Sequence, residues 1–593
     1  LEGAVWWIQA HTKDDRSWRL PELKEIWAAE VSERTPLSAA DLTDGAVDVE
    51  WFVHVFGQLG AVRWKTLDTA AKYAASRAGH TRAQLFARAM AGLVTREQIL
   101  ARIDTSRHQD SVRALGLLPL PDGDSGQRDL LERYQRLQSF KRQSRKFGSQ
   151  RQQSESRAVA IGLANLARTA GHRDPQRLQW AMEQRAVADL ARGPVVLTRG
   201  EVSITLSIDV DGAPSLRIAR QDKSLKALPS ALRKDAEVGE LRARLQELRR
   251  QRSRVREALE EAMCRGDTFQ SHELCVLLQH PILAPALGVL VFIGDGVAGY
   301  LAEGGRALRD HAGTQHVLGH VEEVRIAHPH DLLVRGDWSA WQRDCFRAER
   351  VQPLKQLFRE LYPLTASERG TDRTRRYAGH QVNPRQALAL LGGRGWVARP
   401  EEGVSRTFHD EGLTARLGFQ EPFFTPADIE GLTLEDVIFT RKGEWTALPL
   451  DGIPPRLFSE AMRDLDLVVS VAHRGGVDPE ATASTVEMRA ALLNESCELL
   501  GLANVEVNGR HATIHGSLGD YSVHLGSAGV LVLPGTAIPI VAVHSQHRGR
   551  IFLPFADDDP KTAEVLSKVL LLARDDEIRD PNILEWISAA RGG

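Results

Sequence analysis

The feature that most constrains the fold of this chain is an alternation of polar and apolar residues in the stretch from Arg510 to Phe555. The run HATIH is followed by the turn sequence GSLG and then by the run DYSVHL, and each run has one apolar and one polar face. This period of two is typical of β-strands that bury one face against a core. The stretch therefore predicts an antiparallel meander that begins with a hairpin.

The position of the turn sets the pairing within that hairpin. A turn from Gly516 to Gly519 places His515 opposite Asp520 and His511 opposite His524, and cross-strand neighbours have Cβ atoms about 5 Å apart. Along one strand, His511 and His515 are separated by about 13 Å, which is too far for both to bind one zinc ion. The pattern therefore predicts a His–Asp pair and a His–His pair on one face, and no mononuclear metal site.

This polar face has a catalytic interpretation. His515 would act as a general base whose imidazole is oriented by Asp520, and the Ser527 hydroxyl would lie close by. The candidate catalytic residues are His515, Asp520, His511, His524 and Glu487. The alternative is a hydrated sheet face. Five of the twenty histidines lie in this stretch, namely His511, His515, His524, His544 and His547.

Glu487 also belongs to a second hypothesis, in which acidic side chains gather a divalent metal ion for phosphodiester chemistry. The other carboxylates would be Asp464 and Asp466, at the start of the strand candidate DLDLVVSVA. The lysine partner of common nuclease motifs is not evident in the sequence. The alternative interpretation makes Arg463 and Asp464 members of a surface ion pair.

Composition limits the class of protein. A chain of 593 residues with 42% hydrophobic and 26% charged residues is long enough for several globular domains. Its net charge of -2 gives no overall reason to expect nucleic acid or membrane as a partner, and no apolar run is long enough to span a bilayer. The four cysteines are scattered without CxxC spacing, which predicts a reducing, cytoplasmic setting. The missing initial Met indicates a processed or truncated chain.

One segment is strongly basic, RYQRLQSFKRQSRKFGSQRQQSESR. Its cations are interleaved with Tyr134, Phe140 and Phe147, and cations beside rings that can stack on bases are what single-stranded nucleic acid requires. The candidate nucleic-acid-binding residues are Arg136, Lys141, Arg142, Arg145, Lys146 and Arg151. In the alternative interpretation, the helical spacing of Tyr134 and Phe140 puts the rings in a core and leaves the cations on a solvated face.

The periodicity changes along the chain and predicts an α+β multidomain fold. Its N-terminal half is helical, either bundle-like or a helical repeat, and its C-terminal half is α+β with the antiparallel meander. We divide it into a helical domain (1–120), a basic helical segment (121–192), a β-hairpin insertion (193–236), a long helix or helical hairpin (237–285), a mixed α/β segment (286–396) and a C-terminal α+β domain (397–593).

Four local patterns add expectations. An apolar seam runs along the long helix but is interrupted by Arg252, which favours a helical hairpin over a dimerising zipper. The motif GDGVAG predicts a strand with a Gly-rich turn rather than a dinucleotide site, because no βαβ series surrounds it. DWSAWQRDCFRAERVQPLKQLFRELYPL has helical spacing around Pro353. Asp557 to Asp559 precede Pro560 and are expected to cap a helix.

Long blocks of the chain resemble the large bacterial family of uncharacterised proteins related to the molybdate metabolism regulator. The blocks are HPHDLLVRGDWSAWQRDCFRAERVQPLKQLFRELYPL, RYAGHQVNPRQALALLGGRGW and FLPFADDDPKTAEVLSKVLLLARDDEIRDPNIL. The resemblance implies a domain of unknown function, relatives that are longer at the N-terminus, and by association a regulatory role. It implies no catalytic residue.

The function predicted from these features is a non-catalytic cytoplasmic regulatory or scaffold protein that binds a macromolecule. The partner would be a nucleic acid, contacted by residues 133–157, or another protein, and no membrane is expected. The alternative is an enzyme that acts on a phosphodiester, nucleotide or ADP-ribose bond with the His/Asp site of the meander. The sequence names no cofactor.

Overall fold

The computed structural model covers the whole chain in two compact units. Unit 1 consists of Leu1–Ala186 and Ala366–Ile453, and unit 2 of Val187–Thr365 and Pro454–Gly593. The structure describes all residues except 14–17, 19, 145, 172–176, 179, 181–186, 222, 234, 320–322, 400–401, 423–429, 475–480, 541–551, 557–558 and 593.

The first stretch of unit 1 is helical, as predicted. Its helices are α1 (Glu2–His11), α2 (Pro21–Arg34), α3 (Ala39–Asp44), α4 (Val49–Ala74), α5 (Arg77–Met90), α6 (Arg96–Ser106), α7 (Gln109–Leu115), α8 (Gly123–Ser144) and α9 (Ser149–Thr169). Side-chain caps begin several of them; at α6 the Thr95 hydroxyl accepts from the Gln98 backbone N–H while the Gln98 side chain returns the bond. α4 bends at Gly60, whose φ of 73° suits glycine. Among the described residues, the helices enclose a large apolar core around Trp7, Phe52 and Phe86 and a smaller one around Trp27 and Leu42.

The first stretch of unit 2 contains two antiparallel sheets. Its helices are α10 (Ala188–Arg192), α11 (Ala236–Arg265), α12 (Ser271–Leu277), α13 (Leu283–Gly288), α14 (Pro329–Arg335) and α15 (Trp338–Arg347). The first sheet has the order β1 (Val195–Arg199), β2 (Val202–Ile208), β3 (Pro214–Arg220), β4 (Lys223–Ser224). The second contains β5 (Thr268–Gln270), β6 (Val291–Gly294), β7 (Val297–Ala302), β8 (Ala307–Arg309), β9 (Gln315–Val317) and β10 (Glu323–Ile326), in the order β5-β10-β6-β7-β8-β9.

Three local expectations are decided in this stretch. The Gly-rich motif forms the β6–β7 hairpin, and a Cβ at Gly299 would lie 2.8 Å from the Cβ of Leu308 on β8, so this glycine serves strand packing. α11 is one long helix, but β5 follows it, so the expected helical hairpin does not form. The helix predicted for DWSAWQRDCFRAERVQPLKQLFRELYPL is confirmed in its first part, α15, and wrong around Pro353. α15 ends at Arg347, and Leu354 to Tyr362 are buried in irregular backbone.

The second stretch of unit 1 is mostly an antiparallel sheet. It contains β11 (Arg373–Thr374), β12 (Gln381–Val382), α16 (Pro384–Gly392), β13 (Val397–Arg399), β14 (Gly403–Phe408), β15 (Leu413–Phe419) and β16 (Leu432–Arg441). The strand order is β11-β16-β15-β14-β13, and β12 also pairs with β16. GLTLEDVIFT forms β16, as predicted. α2 packs on β13 and β14 of this sheet.

The chain closes unit 2 with two helices, the meander and two more helices. These are α17 (Pro455–Ala472), α18 (Ala483–Leu500), β17 (Val505–Asn508), β18 (His511–His515), β19 (Asp520–His524), β20 (Val530–Val532), β21 (Thr536–Ile538), α19 (Pro560–Leu572) and α20 (Pro581–Gly592). DLDLVVSVA is therefore helical and the strand prediction is wrong. Leu457, Ala461, Leu465 and Val468 are all buried at helical spacing, and this longer pattern outweighs a short β-branched run.

The meander has the predicted order, β17-β18-β19-β20-β21. Its apolar face, including Ala512, Ile514, Tyr521 and Val523, is fully buried in a core shared with α18, α19 and α20. An α+β multidomain fold with a helical N-terminal half is therefore confirmed.

Candidate functional site

The pairing predicted for the histidine hairpin is confirmed. In the β18–β19 ladder, His511 lies opposite His524 and His515 lies opposite Asp520. Because the apolar residues of both strands face the core, these four side chains share the outer face of the sheet. His544 and His547 lie outside the described residues.

The His515–Asp520 pair is hydrogen bonded but open to solvent. The distance from Nδ1 of His515 to Oδ1 of Asp520 is 3.0 Å, and the two side chains are 54% and 56% exposed. A carboxylate at Nδ1 orients the ring and leaves Nε2 available as a base. Solvent screens such an exposed pair and competes for both groups, so the pair has the geometry of an oriented base without an enclosing site.

His524 is held by the next turn. Its Nδ1 accepts the backbone N–H of Ser527 at 3.0 Å and lies 2.9 Å from the Ser527 hydroxyl. Nδ1 is therefore unprotonated in the neutral ring, and Nε2 carries the proton. The His511 ring lies 4.9 Å from the His524 ring, centroid to centroid. Both rings border a depression of about 440 Å³, whose lining includes Leu531 and Ile538.

The five candidate catalytic residues do not form one site. His511/His524 and His515/Asp520 are four residues apart on both strands, or about 13 Å. Glu487 is exposed on α18, and among the described residues it has no hydrogen bond or ion pair to any of the four. The structure therefore contains two separate pairs, and Glu487 is bonded to neither of them.

The metal hypothesis receives no geometric support. Asp464 and Asp466 lie inside α17 and are buried, so they do not flank a strand. Asp466 accepts the Tyr362 hydroxyl at 2.6 Å, and its pKa is raised mainly by burial. Arg463 is not in a surface pair with Asp464, because it donates to Glu360 at 3.1 Å inside the protein. Within the described part of the chain, no group of three or more His, Cys, Asp or Glu side chains could hold a metal ion.

The rings of the basic segment belong to the core, which is the alternative that the sequence left open. Tyr134 and Phe140 on α8 are 9% and 3% exposed. The Arg107 guanidinium lies over the Phe140 ring at 3.9 Å, and the Arg151 guanidinium lies over the Phe147 ring at 4.1 Å. These contacts use the ring faces that a base would need.

The cations of this segment divide into paired and exposed groups. Arg136 forms an ion pair with Asp104, and Arg151 forms one with the buried Glu155 at 2.9 Å. Lys141, Arg142 and Lys146 are exposed at the end of α8 and in the turn before α9, and no ion pair within the described residues includes them. Arg145 lies outside the described residues. We call Lys141, Arg142 and Lys146 the basic turn.

The structure also contains a buried ionic network in unit 2. Arg359 donates to Glu460 through Nε at 2.7 Å and through Nη2 at 2.6 Å, and its Nη1 donates to Glu260 at 2.8 Å. His328 lies 3.0 Å from the same Glu460 carboxylate. Burial alone would raise the pKa of Glu460, but the charge and hydrogen bonds of Arg359, with help from His328, hold it well below its usual value. Burial lowers the pKa of His328, against the opposing effect of Glu460.

A second buried set of charges continues this network. Lys355 bridges Glu360 at 2.9 Å and Asp559 at 2.8 Å. Asp559 also accepts the Thr562 backbone N–H at 2.9 Å, so the expected capping of this helix start is confirmed for Asp559, while Asp557 and Asp558 lie outside the described residues. The network was not predicted. Its one sequence signal is a group of charges within the apolar run LKQLFREL.

Comparison with known families assigns three parts of the chain. Residues 1–182 match the model of a family of unknown function, DUF5724. Residues 223–396 match a domain of unknown function, DUF4132, and residues 486–587 match another, DUF7737. These matches support an uncharacterised family and show no link to the molybdate metabolism regulator. Neither a curated protein nor a solved structure matches the chain.

Across the described helices, none combines the length and apolar character that crossing a bilayer demands.

Proposed function

We propose that this chain is a non-catalytic nucleic-acid-binding protein that contacts phosphates through the basic turn. The observation that carries the proposal is the division of the basic segment, in which Arg136 and Arg151 are neutralised by acidic partners while Lys141, Arg142 and Lys146 are exposed. Cations that are not already paired gain the most from releasing the counterions around a phosphate backbone. The proposed partner is therefore a polyanion.

The burial of the aromatic rings in the basic segment argues against base stacking as the mode of nucleic-acid contact. Base stacking requires an exposed ring face, whereas Tyr134 and Phe140 are buried and Phe147 is covered by Arg151. We therefore propose backbone contacts that do not depend on base sequence. We further propose that the protein acts as a scaffold or regulator in the cytoplasm. The four free cysteines are consistent with a reducing compartment.

The experiment is a binding titration of the full chain with labelled RNA and DNA across a salt series. The triple variant K141Q/R142Q/K146Q should bind at least tenfold more weakly at low salt and reduce the salt slope by up to about 3, since each phosphate contact contributes roughly one unit. The matched control is R63Q/K65Q/K72Q, which removes the same charge from exposed positions on α4. Unchanged affinity and slope in the first variant, or equal losses in both variants, would overturn the proposal.

A hydrolytic enzyme is the second candidate, and one observation favours it. The 3.0 Å bond between His515 and Asp520 orients an exposed imidazole next to solvent. Activity would be sought on a phosphodiester, a nucleotide and an ADP-ribose conjugate, with His515→Ala as the test variant and His54→Ala, on an exposed face of α4, as the control. Turnover that survives His515→Ala would remove this candidate.

A further inference from the structure

A second strongly basic stretch lies in unit 2, within α11. Residues 241–256 of α11 contain seven arginines and one glutamate, a formal charge of +6 in a chain whose net charge is -2. The arginines are Arg242, Arg244, Arg249, Arg250, Arg252, Arg254 and Arg256. We call residues 241–256 the arginine segment.

The arginine segment belongs to a long helix that is packed along one face. Thirty residues give α11 a length of about 45 Å. Leu241 and Leu248, which lie within the segment, belong to a core with strands β1 to β3. The last turns of the helix reach the buried ionic network, where Glu260 accepts from Arg359 at 2.8 Å. These contacts fix the position of the helix in unit 2.

The buried face of the segment is continuous. Between Leu248 and Val255 it is carried by Gln251, which is buried and lies 3.0 Å from His280, while the neighbouring Arg252 is exposed. The segment therefore packs one face on a core and presents arginines to solvent on the other.

Part of this charge is available for a partner. Arg244 is paired with Asp189 at 2.6 Å, and Arg254 with Glu247 at 3.1 Å. Arg242, Arg249 and Arg252 are exposed, and no ion pair within the described residues includes them. Along the helix axis they lie at about 0, 10 and 15 Å.

The composition of residues 187–256 distinguishes between double-stranded and single-stranded ligands. These residues contain no Phe, Tyr or Trp, so they offer no aromatic ring on which unpaired bases could stack. Guanidinium groups bind phosphate oxygens in a bidentate fashion. The major groove of duplex DNA admits an α-helix, with a row of phosphates on each side.

We infer that the arginine segment is a second phosphate-binding surface, which takes the backbone of a double-stranded nucleic acid. The inference does not rest on the basic turn, because the residues belong to a different unit and a different fold element. A helix that holds these arginines at fixed spacings, without neighbouring rings, favours a regular duplex over a splayed single strand.

The test measures binding of the full chain to a labelled 30-base-pair duplex and to a single strand of the same length, by fluorescence anisotropy across a salt series. R242Q/R249Q/R252Q should bind the duplex at least tenfold more weakly at low salt and reduce its salt slope by about 2 to 3. Affinity for the single strand should change less than threefold. R242K/R249K/R252K keeps the charge and should keep most of the slope.

The controls separate this inference from the proposed function. R63Q/K65Q/K72Q should leave both affinities unchanged, and unaltered circular dichroism and melting temperature would show that the exposed substitutions do not perturb the fold. Equal loss of duplex and single-strand binding, no loss of either, or stronger competition by polyglutamate than by unlabelled duplex would overturn the inference. If only K141Q/R142Q/K146Q loses binding, the inference is overturned and the proposed function stands. If only R242Q/R249Q/R252Q loses duplex binding, the inference stands and the basic turn is not the contact.

Discussion

The side-chain amide of Gln356 pairs with both backbone polar groups of Val291. Its Oε1 accepts the Val291 N–H at 2.9 Å, and its Nε2 donates to the Val291 carbonyl at 2.7 Å. The same Nε2 donates to the Ala327 carbonyl at 2.8 Å. Gln356 thus takes the place of a strand neighbour at the end of β6, and this explains how an irregular segment can be buried in unit 2.

Replacing Gln356 with Met should destabilise the protein strongly. The change removes the partners of the Val291 N–H and of the Ala327 carbonyl while keeping the side-chain volume, and each buried polar group left without a partner costs about 1–3 kcal/mol. We expect a loss of roughly 3 kcal/mol, measured as a lower denaturation midpoint. Gln153→Met on the exposed face of α9 is the matched control and should change stability by less than about 0.5 kcal/mol. Equal effects of the two variants would contradict this account of Gln356.

A second prediction concerns the buried ion pair of Arg359 and Glu460. Glu460→Gln removes the charge of the carboxylate that binds the guanidinium through two hydrogen bonds and leaves Glu260 as its remaining acidic partner. Breaking a buried ion pair costs about 3–5 kcal/mol. The control is Glu498→Gln, whose partner Arg347 is 68% exposed and whose ion pair is worth at most about 1 kcal/mol. Chemical denaturation of both variants measures the difference. A loss at Glu460 no larger than the loss at Glu498 would show that the network does not stabilise unit 2.

These two predictions concern contacts that sequence patterns do not contain. Arg359 and Glu460 are 101 residues apart, and neither lies in a motif whose spacing indicates the other. The irregular run from Leu354 to Tyr362 has helical spacing but is buried on all sides, and periodicity cannot separate these two cases. The same ambiguity made DLDLVVSVA resemble a strand.

The hairpin was predictable because local chemistry determines it. A period of two and a glycine-bounded turn were sufficient to give the pairing of His511 with His524 and of His515 with Asp520. They were also sufficient to predict the distance that separates the two pairs. The position of Glu487 relative to the hairpin depends on how α18 packs in unit 2. The sequence of the helix does not contain that information.

A third prediction follows from the burial of His11. This ring is stacked on Trp7, its Nδ1 lies 2.7 Å from the Trp7 carbonyl oxygen, and burial lowers its pKa from 6.5 to about 4. The unfolded chain therefore binds more protons than the folded chain between pH 6.5 and 4, so this contribution is present above pH 6.5 and is lost as the pH falls towards 4. The loss is about 3 kcal/mol.

The His11 contribution can be isolated with a variant. His11→Phe keeps the stacking and removes the titration, so its denaturation midpoint should fall less steeply between pH 6.5 and 4 than that of the unaltered protein. His54→Phe, at an exposed position of α4, should keep the full pH dependence. Parallel pH profiles for His11→Phe and the unaltered protein would show that His11 is not the titrating group.

The last prediction distinguishes the two sides of the histidine hairpin. Asp575, 1% exposed, accepts the backbone N–H groups of Ser517 and Leu518 at 2.8 and 2.7 Å and the Tyr521 hydroxyl at 2.8 Å. Asp575→Ala leaves three donors without partners and should cost roughly 3–5 kcal/mol. On the outer face, Asp520→Ala removes only a solvent-exposed bond to His515 and should cost less than about 1 kcal/mol.

Thermal denaturation of both variants gives the comparison, and amide exchange of β18 and β19 locates the effect. If Asp575→Ala speeds exchange in this hairpin and Asp520→Ala does not, the buried carboxylate holds the turn and the outer face is free for binding or catalysis. Equal stability losses would mean that the outer His–Asp pair is itself structural, and this would remove the single observation in favour of an enzyme.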